Sequence, residues 1–392
     1  MPWKTRTAMS LRRELVLMAA QPQANLAELC RRYGVSRKTA YKWIARYREG
    51  GPDALIDRSC KPAHSPSRTP PGVEAAVLGV REAHPAWGGR KIRRVLLNKG
   101  VHAPSPATVT AILRRHGHLS PQPEPRRLMT RFEAEAPNEL WQMDFKGDFL
   151  LGDGNRCFPL DALDDHSRFL LCLDSQLNQR RESVQASLTA LFRRYGLPRR
   201  LLCDNGPPWG SGWRRVGGGR TWPRYTRLAA WLMRLGITVV HGRPYHPQTQ
   251  GKLERAHRSL KEEVLAPADG GASFADLAAC QLAFDRWRDV YNQERPHEAL
   301  ELAVPASRYV PSTRAFPTTE PVVTYDDGVT TRKVGKLGRI SFRNNYYKVG
   351  KGFTGEYVGL IPCQSDGVWK IYYAHQPIWA IDLHQPITST DL

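Results

Sequence analysis

The chain has 392 residues, and its 58 Lys/Arg against 37 Asp/Glu give a formal net charge of +21 and a pI near 10.0. That surplus points to a polyanionic partner, nucleic acid first, and the length allows several domains with cores of their own. No apolar run reaches the roughly 18 residues that a bilayer span needs. The N-terminus lacks a signal-peptide core, and the seven scattered cysteines form no CxxC pair, which argues against zinc clusters and disulfide frameworks. The expectation is a cytoplasmic protein with no membrane partner.

The charge is concentrated early: residues 1–135 hold 25 Lys/Arg and 10 Asp/Glu, so +15 of the +21 lies in the first third. Residues 1–56 read as a helix-turn-helix DNA-binding domain. NLAELCRRYG supplies Leu26, Leu29 and Cys30 as an apolar face and Gly34 as the turn. Ser36 caps the following SRKTAYKWIARYR, whose inner face is Ala40, Trp43 and Ile44. This second helix would present Arg37, Lys38 and Lys42 to DNA. A Pro/Ser-rich basic linker, 57–71, leads to a second helix-turn-helix unit over 72–120. There WGGRKIRRVLLNKG offers Arg90 and Lys91. SPATVTAILRRHG, with Ser105 as cap and Pro106 in its first turn, offers Arg114 and Arg115. PQPEPRR lies in a second linker, 121–136.

From residue 137 the pattern changes. LWQMDFKGDFLL, CFPLDALDD and RFLLCLD read as an antiparallel meander. Then come the helix RESVQASLTALFRRYG, the buried strand of PRRLLCDNG, a helix over 227–235, the strand ITVVHG and a helix in GKLERAHRSLKEE. Strands first and then alternating helix and strand indicate a mixed α/β domain, which with a helical extension spans 137–312. Short alternating runs over 325–386 predict a small β-barrel or sandwich, as a structural cap or a further DNA contact.

Three acids stand out: Asp144 inside the apolar strand WQMDF, Asp204 at the end of LLCDNG, and Glu254 among the cations of GKLERAHRSLK. An acid inside an apolar strand is costly unless it is paired or binds a metal, and strand ends of α/β sheets are where ligands collect. Mg²⁺ takes hard oxygen ligands. Two such ions about 4 Å apart can activate the attacking oxygen and stabilise the leaving oxygen of a phosphodiester. On helical spacing Leu253, Ala256, Leu260 and Val264 turn to the core, while Lys252, Arg255, Arg258 and Lys261 can reach phosphates. Spacing alone does not bring the three acids together, and Glu262 and Glu263 are fallbacks for Glu254.

WQMDF, LDDHSRF, CDNG, RPYHPQTQGKLERAHRSLK and YNQERPHEAL, in this order, resemble the integrase-core DDE transposases of bacterial insertion sequences, relatives of retroviral integrases. The resemblance covers about residues 10–310. It implies an RNase H-like catalytic core between the N-terminal helix-turn-helix units and the C-terminal β domain. It also implies that Asp144, Asp204 and Glu254 bind two Mg²⁺ or Mn²⁺ ions. The implied reaction is hydrolytic cleavage at transposon ends, followed by attack of the freed 3′-hydroxyl on target DNA. His246 and Gln250 fall in a loop that approaches the DNA end in relatives. The implied partners are double-stranded DNA, further copies of the chain assembled on it, and other proteins that choose the target. A bacterial, nucleoid-associated location follows.

One departure is the 49 residues between Asp204 and Glu254, more than many relatives have. The excess is PPWGSGWRRVGGGRTWPRY, residues 207–225, read either as a surface insertion or as a DNA-contacting loop. In the second reading Trp209, Trp213 or Trp222 stack on bases and Arg214 and Arg215 bind phosphate. Asp164 and Asp165 suit a turn better than catalysis, and His297 suits packing better than metal binding. Two other functions compete with an active transposase: a DNA-binding regulator with a silent core, and a metal-dependent nuclease without strand transfer.

Overall fold

Side-chain caps set the first helices. Thr7 accepts from the Ser10 amide to start α1 (Ala8–Ala19). Asn25 accepts from Ala27 and Glu28 to start α2 (Leu26–Tyr33). Ser36 accepts from Thr39 at 3.1 Å to start α3 (Arg37–Gly50). Gly34 sits at φ 64° between α2 and α3, a left-handed conformation that favours glycine. Leu15, Cys30 and Ala40 pack in one small cluster and Val16, Trp43 and Leu55 in another. These helices form the first of two units, 1–68 and 69–392. The computed structural model describes residues 7–58, 68–119, 132–215, 221–242, 251–265 and 274–384.

The second unit begins with three more helices, α4 (Pro71–Ala83), α5 (Gly89–Asn98) and α6 (Pro106–Arg115). Ser105 caps α6 through the Thr108 amide at 3.2 Å. Val77, Trp87, Ile92, Val109 and Leu113 are their buried core, and Val290, from much later in the chain, packs against it.

Next come β1 (Leu140–Phe145), β2 (Phe149–Leu150), β3 (Arg156–Asp164), β4 (Leu170–Gln176), α7 (Arg181–Tyr195), β5 (Arg200–Cys203), β6 (Gly210–Arg215) and β7 (Thr221–Tyr225). They are followed by α8 (Arg227–Arg234), β8 (Thr238–His241), α9 (Gly251–Leu260) and α10 (Leu277–Gln293). The main sheet runs β4–β3–β1–β5–β8, with β2 beside the start of β3. The β4–β3 and β3–β1 pairs are antiparallel, and β1–β5 and β5–β8 are parallel. This is the expected meander followed by alternating helix and strand. Period-two alternation divides the side chains. Trp141, Met143, Leu160 and Ala162 face α7 and α8 with Leu188, Phe192 and Trp231. Cys157, Leu163 and Leu173 face α9 and α10 with Leu253, Leu260 and Phe284.

The C-terminal strands are β9 (Thr330–Lys333), β10 (Arg339–Phe342), β11 (Asn345–Lys348), β12 (Tyr357–Pro362), β13 (Val368–Tyr373) and β14 (Gln376–Asp382). They form an open four-stranded sheet, β14–β13–β12–β9, and a separate β10–β11 hairpin. Among the described residues these sheets do not close into the small β-barrel expected from the sequence. The apolar face is covered by the core instead of by closure: Phe353, Leu360, Tyr373 and Trp379 join the cluster of α7 and α8. Gln376 ties the two parts together by accepting from the Val239 amide and donating to the Val239 carbonyl, both at 2.9 Å.

In WGGRK the two glycines differ. A Cβ on Gly89 would lie 2.5 Å from Thr110 Oγ1 and 2.7 Å from the Pro106 carbonyl, whereas one on Gly88 meets nothing within 4 Å. Gly89→Ala should therefore lower stability by about 1–3 kcal/mol through overpacking of α5 on α6. Gly88→Ala should change little, and thermal melts of the two variants check the contrast.

Candidate active site

β1 and β3 pair so that Asp144 lies directly opposite Asp161, and side chains so paired share a face. β1 and β5 pair with Gln142 beside Leu202. The ladder ends there, and Asp144 and Asp204 each lie two residues further along these parallel strands, near enough for the Asp204 charge to act on Asp144. Asp144 is half-buried and Asp204 exposed. Burial, then the neighbouring Asp161 carboxylate, pushes the Asp144 carboxyl up to about 6. The Phe145 amide and His257 oppose the rise, and Asp204 adds to it.

The turn after β5 fixes Asp204. Its carboxylate accepts from the Asn205 amide, and its carbonyl accepts from His241 Nδ1 at 3.0 Å. Asn205 in turn donates to the Gly242 carbonyl and accepts from Trp213 Nε1, both at 2.8 Å.

Glu254 is exposed on α9, whose Leu253, Ala256 and Leu260 are buried as helical spacing requires. Among the described residues no group of three or more His, Cys, Asp or Glu lies close enough to hold a metal ion. The structure thus brings Asp144 and Asp204 together and leaves Glu254 outside a closed triad. His246 and Gln250 lie outside the described residues.

Two buried acids, Asp161, which the sequence did not single out, and Asp165, which it assigned to a turn, take basic partners from α9. Asp161 accepts from His257 Nε2 at 2.8 Å. Burial lowers the imidazole, but the charge and hydrogen bond of Asp161, with Asp144 behind it, outweigh that and raise its pKa. Asp165 is fully buried and accepts from the Ala134 amide, Gln142 Nε2 and Lys252 Nζ. Lys252, expected to face phosphate, is therefore committed to Asp165 at 2.5 Å. Asp164 accepts from the Asn138 amide and from the amide and hydroxyl of Ser167, which is turn architecture.

The remaining basic residues are placed as follows. Arg37, Lys38, Lys42, Arg90, Arg114, Arg115, Arg255, Arg258 and Lys261 are exposed, although Arg115 pairs with Glu74 at 2.6 Å. Arg90, Lys91 and Arg114 line one cavity of about 850 Å³ against Glu298. Lys91 is half-buried there, and burial, then Arg295, pulls its pKa down to about 8. His297 is buried at 4.8 Å from the Tyr291 ring, and burial drives it down to about 2, so it stays neutral.

The segment 207–225 is built in at its base. β6 and β7 pair as a hairpin, Trp209 is 2% exposed in the core, and the Trp222 ring lies 6.2 Å from that of Trp379. Trp209 is therefore unavailable to stack on bases, a correction to the DNA-loop reading. Residues 216–220 lie outside the described residues.

Comparison with known families agrees with this layout. Residues 11–63 match a helix-turn-helix domain and 39–113 a homeodomain-like domain. Residues 134–247 and 235–305 match the integrase core domain. Residues 329–387, which include the open C-terminal sheets, match the C-terminal domain of IS481 family transposases. The class is thus an integrase-core protein with helix-turn-helix DNA-binding domains. The chain is 22% identical over 298 residues to an uncharacterized 31.7 kDa protein of insertion element IS407 from Burkholderia multivorans, covering 74% of this chain and 93% of that one. It is 34% identical over 130 residues to the Gag-Pro-Pol polyprotein of Simian retrovirus SRV-1, covering 33% of this chain but only 6% of the polyprotein. Among solved structures, the HTLV-2 integrase catalytic core domain in complex with magnesium aligns at 13% identity and TM-score 0.32, over 45% of this chain and 99% of that one. Together these matches support an integrase-core transposase of a bacterial insertion sequence. No helix among its described residues is long and apolar enough to cross a membrane.

The raised Asp144 carboxyl has a stability consequence with a definite sign. Below its unfolded value near 3.8 the group is protonated in both states and costs nothing; above about 6 it is ionised in the fold at a cost. Asp144→Asn mimics the protonated acid. In metal-free buffer it should gain on the order of 1–2 kcal/mol over wild type at pH 7.5, with the gain fading as pH falls from 6 to 4. Denaturant unfolding across that range measures it.

Proposed function

We propose that the chain binds the terminal repeats of its insertion sequence, cleaves the phosphodiester at the ends and joins the freed 3′-hydroxyls to target DNA. The observation that carries this reading is the side-by-side placement of Asp144 and Asp204 at the ends of β1 and β5 in an integrase core. The half-buried Asp144, kept near like charges, has the hard-oxygen chemistry that favours a divalent cation. Asp144, Asp204 and Glu254 would hold two Mg²⁺ or Mn²⁺ ions. When bound, such ions stabilise charge on the phosphate oxygens and make a hydroxyl nucleophile available.

The chain's own residues do the rest. Asp144 and Asp204 concentrate negative charge at the C-terminal ends of the interior strands β1 and β5, and the Asn205 turn holds Asp204 in place. Arg255, Arg258 and Lys261 present charge to the DNA backbone from the exposed side of α9. The helix-turn-helix units deliver sequence recognition, Arg37, Lys38 and Lys42 lying on the exposed face of α3. Two ends must be held at once, so a homo-oligomer on DNA is part of the proposal, as are protein partners in target choice.

One observation favours a silent-core regulator instead: the described residues hold no closed group of three ligands. A duplex carrying the DNA that flanks the gene, incubated with Mg²⁺ or Mn²⁺, separates the two readings. Wild type should nick it at a defined end and Glu254→Gln should not, while both bind it equally. Specific binding without cleavage by wild type would transfer the assignment to the regulator.

Recognition carries its own expectation. Replacing Arg37, Lys38 and Lys42 together by alanine in the full chain should make the slope of log affinity against log salt shallower by roughly 2–3. An unchanged slope in a titration from low to moderate salt removes these three from the interface.

A further inference from the structure

We propose that Lys252 and His257 are positioning residues that lock α9, and with it Glu254, onto the strand bearing Asp144. The inference rests on the proposed catalytic reading and deepens it. Glu254 lies two residues after Lys252 and three before His257. Each flanking basic side chain reaches down to a buried carboxylate of the β3 region: Lys252 to Asp165 at 2.5 Å and His257 to Asp161 at 2.8 Å. The side chains of Asp161 and Asp165 are 2% and 0% exposed, and those of His257 and Lys252 only 11% and 18%.

Placement explains why these pairs matter. Asp161 is the direct cross-strand partner of Asp144, so the bond from His257 ties α9 to the ladder position that carries the first candidate metal acid. Asp165 accepts from Gln142 Nε2, two residues before Asp144 on β1, so the Lys252 bond ties the start of α9 to that strand as well. Two anchors, one on each side of Glu254, fix both the translation and the rotation of the helix. A single anchor would leave it free to pivot. The apolar contacts of Leu253, Ala256 and Leu260 resist separation, but apolar packing is non-directional and sets rotation weakly. Directional, buried ion pairs set register, the best-attested use of such pairs. The supports of metal-binding groups commonly alter metal affinity when they are changed.

The test compares two double variants that leave no lone buried charge at the His257 anchor. Asp161→Ala/His257→Ala deletes the anchor; Asp161→Asn/His257→Gln keeps a neutral hydrogen bond in its place. Three quantities are read in the full chain: Mn²⁺ binding by titration without DNA, hydrogen exchange of the α9 amides, and kcat and KM for end cleavage. The alanine pair should weaken Mn²⁺ binding about tenfold or more, speed exchange in α9 and lower kcat with KM for the duplex held within about twofold. The Asn/Gln pair should recover most of the Mn²⁺ affinity. Lys252→Ala should likewise weaken Mn²⁺ binding more than duplex binding.

Wild-type Mn²⁺ affinity and α9 protection in the alanine pair would overturn the His257 anchor. Weakened duplex binding with unchanged Mn²⁺ affinity in Lys252→Ala would return that lysine to the DNA interface. If the alanine pair fails to fold, the Asn/Gln pair decides: unchanged melting with Mn²⁺ affinity as low as that of Asp144→Asn overturns the anchor. A wild type that binds Mn²⁺ yet leaves the duplex intact defeats the cleavage reading alone, since the anchor is still read from metal titration and exchange.

Discussion

The organisation of the core depends on one register: β1 paired with β3 so that two carboxylates, Asp144 and Asp161, face each other under a helix. Burial first, and then the neighbouring Asp161 carboxylate, raises the Asp144 carboxyl. The fold meets this in an asymmetric way. Asp161 accepts a hydrogen bond from His257 of α9, whereas among the described residues the only donor to Asp144 is the adjacent Phe145 amide. A site that is to take up a cation needs that kind of incomplete compensation, and it costs stability in the metal-free protein.

The same economy extends along the C-terminal ends of these strands. Asp204 follows directly on β5, and its turn is held from three sides: His241 of β8, the Gly242 carbonyl, and Trp213 of the β6–β7 hairpin. The hairpin reaches on to the C-terminal sheet through Trp222 and Trp379, and Gln376 binds β8 along its backbone. The extra length between Asp204 and Glu254 therefore links the candidate active site to the C-terminal domain. An open four-stranded sheet is stable in this setting because α8 and the core cover the apolar face that a barrel would have closed upon itself.

The helical units show a comparable division of labour. Three caps and one left-handed glycine shape α1–α3, and the exposed cations of α3 are left unburied. In the second unit, Gly89 allows α5 to sit tightly on α6, and the cavity beside it gathers Arg90, Lys91 and Arg114 against Glu298 of the core. Lys91 belongs as much to that contact with the core as to any outward face.

The sequence by itself determined what is local or periodic. Ser36, Gly34, Ser105 and Pro106 marked the helix ends because capping and left-handed turns involve only neighbouring residues. Alternation in WQMDF and RFLLCLD identified strands, and Leu253, Ala256 and Leu260 identified the buried face of α9. The charge surplus pointed to DNA. Only the tertiary structure decided what depends on register and on distant partners. Lys252, Arg255, Arg258 and Lys261 looked alike on helical spacing, yet Lys252 meets a buried acid 87 residues earlier in the chain. Asp165 looked like turn chemistry and Asp161 like one more residue of a strand, and the fold brought each of them to a basic side chain of α9. Trp209, Trp213 and Trp222 were equivalent as aromatic residues in a Gly- and Arg-rich insertion, and packing separated them into a core residue, a hydrogen-bond donor and a domain contact. Closure of the C-terminal sheet was equally beyond local pattern, since strand propensity is the same whether an apolar face is buried by its own edges or by another domain.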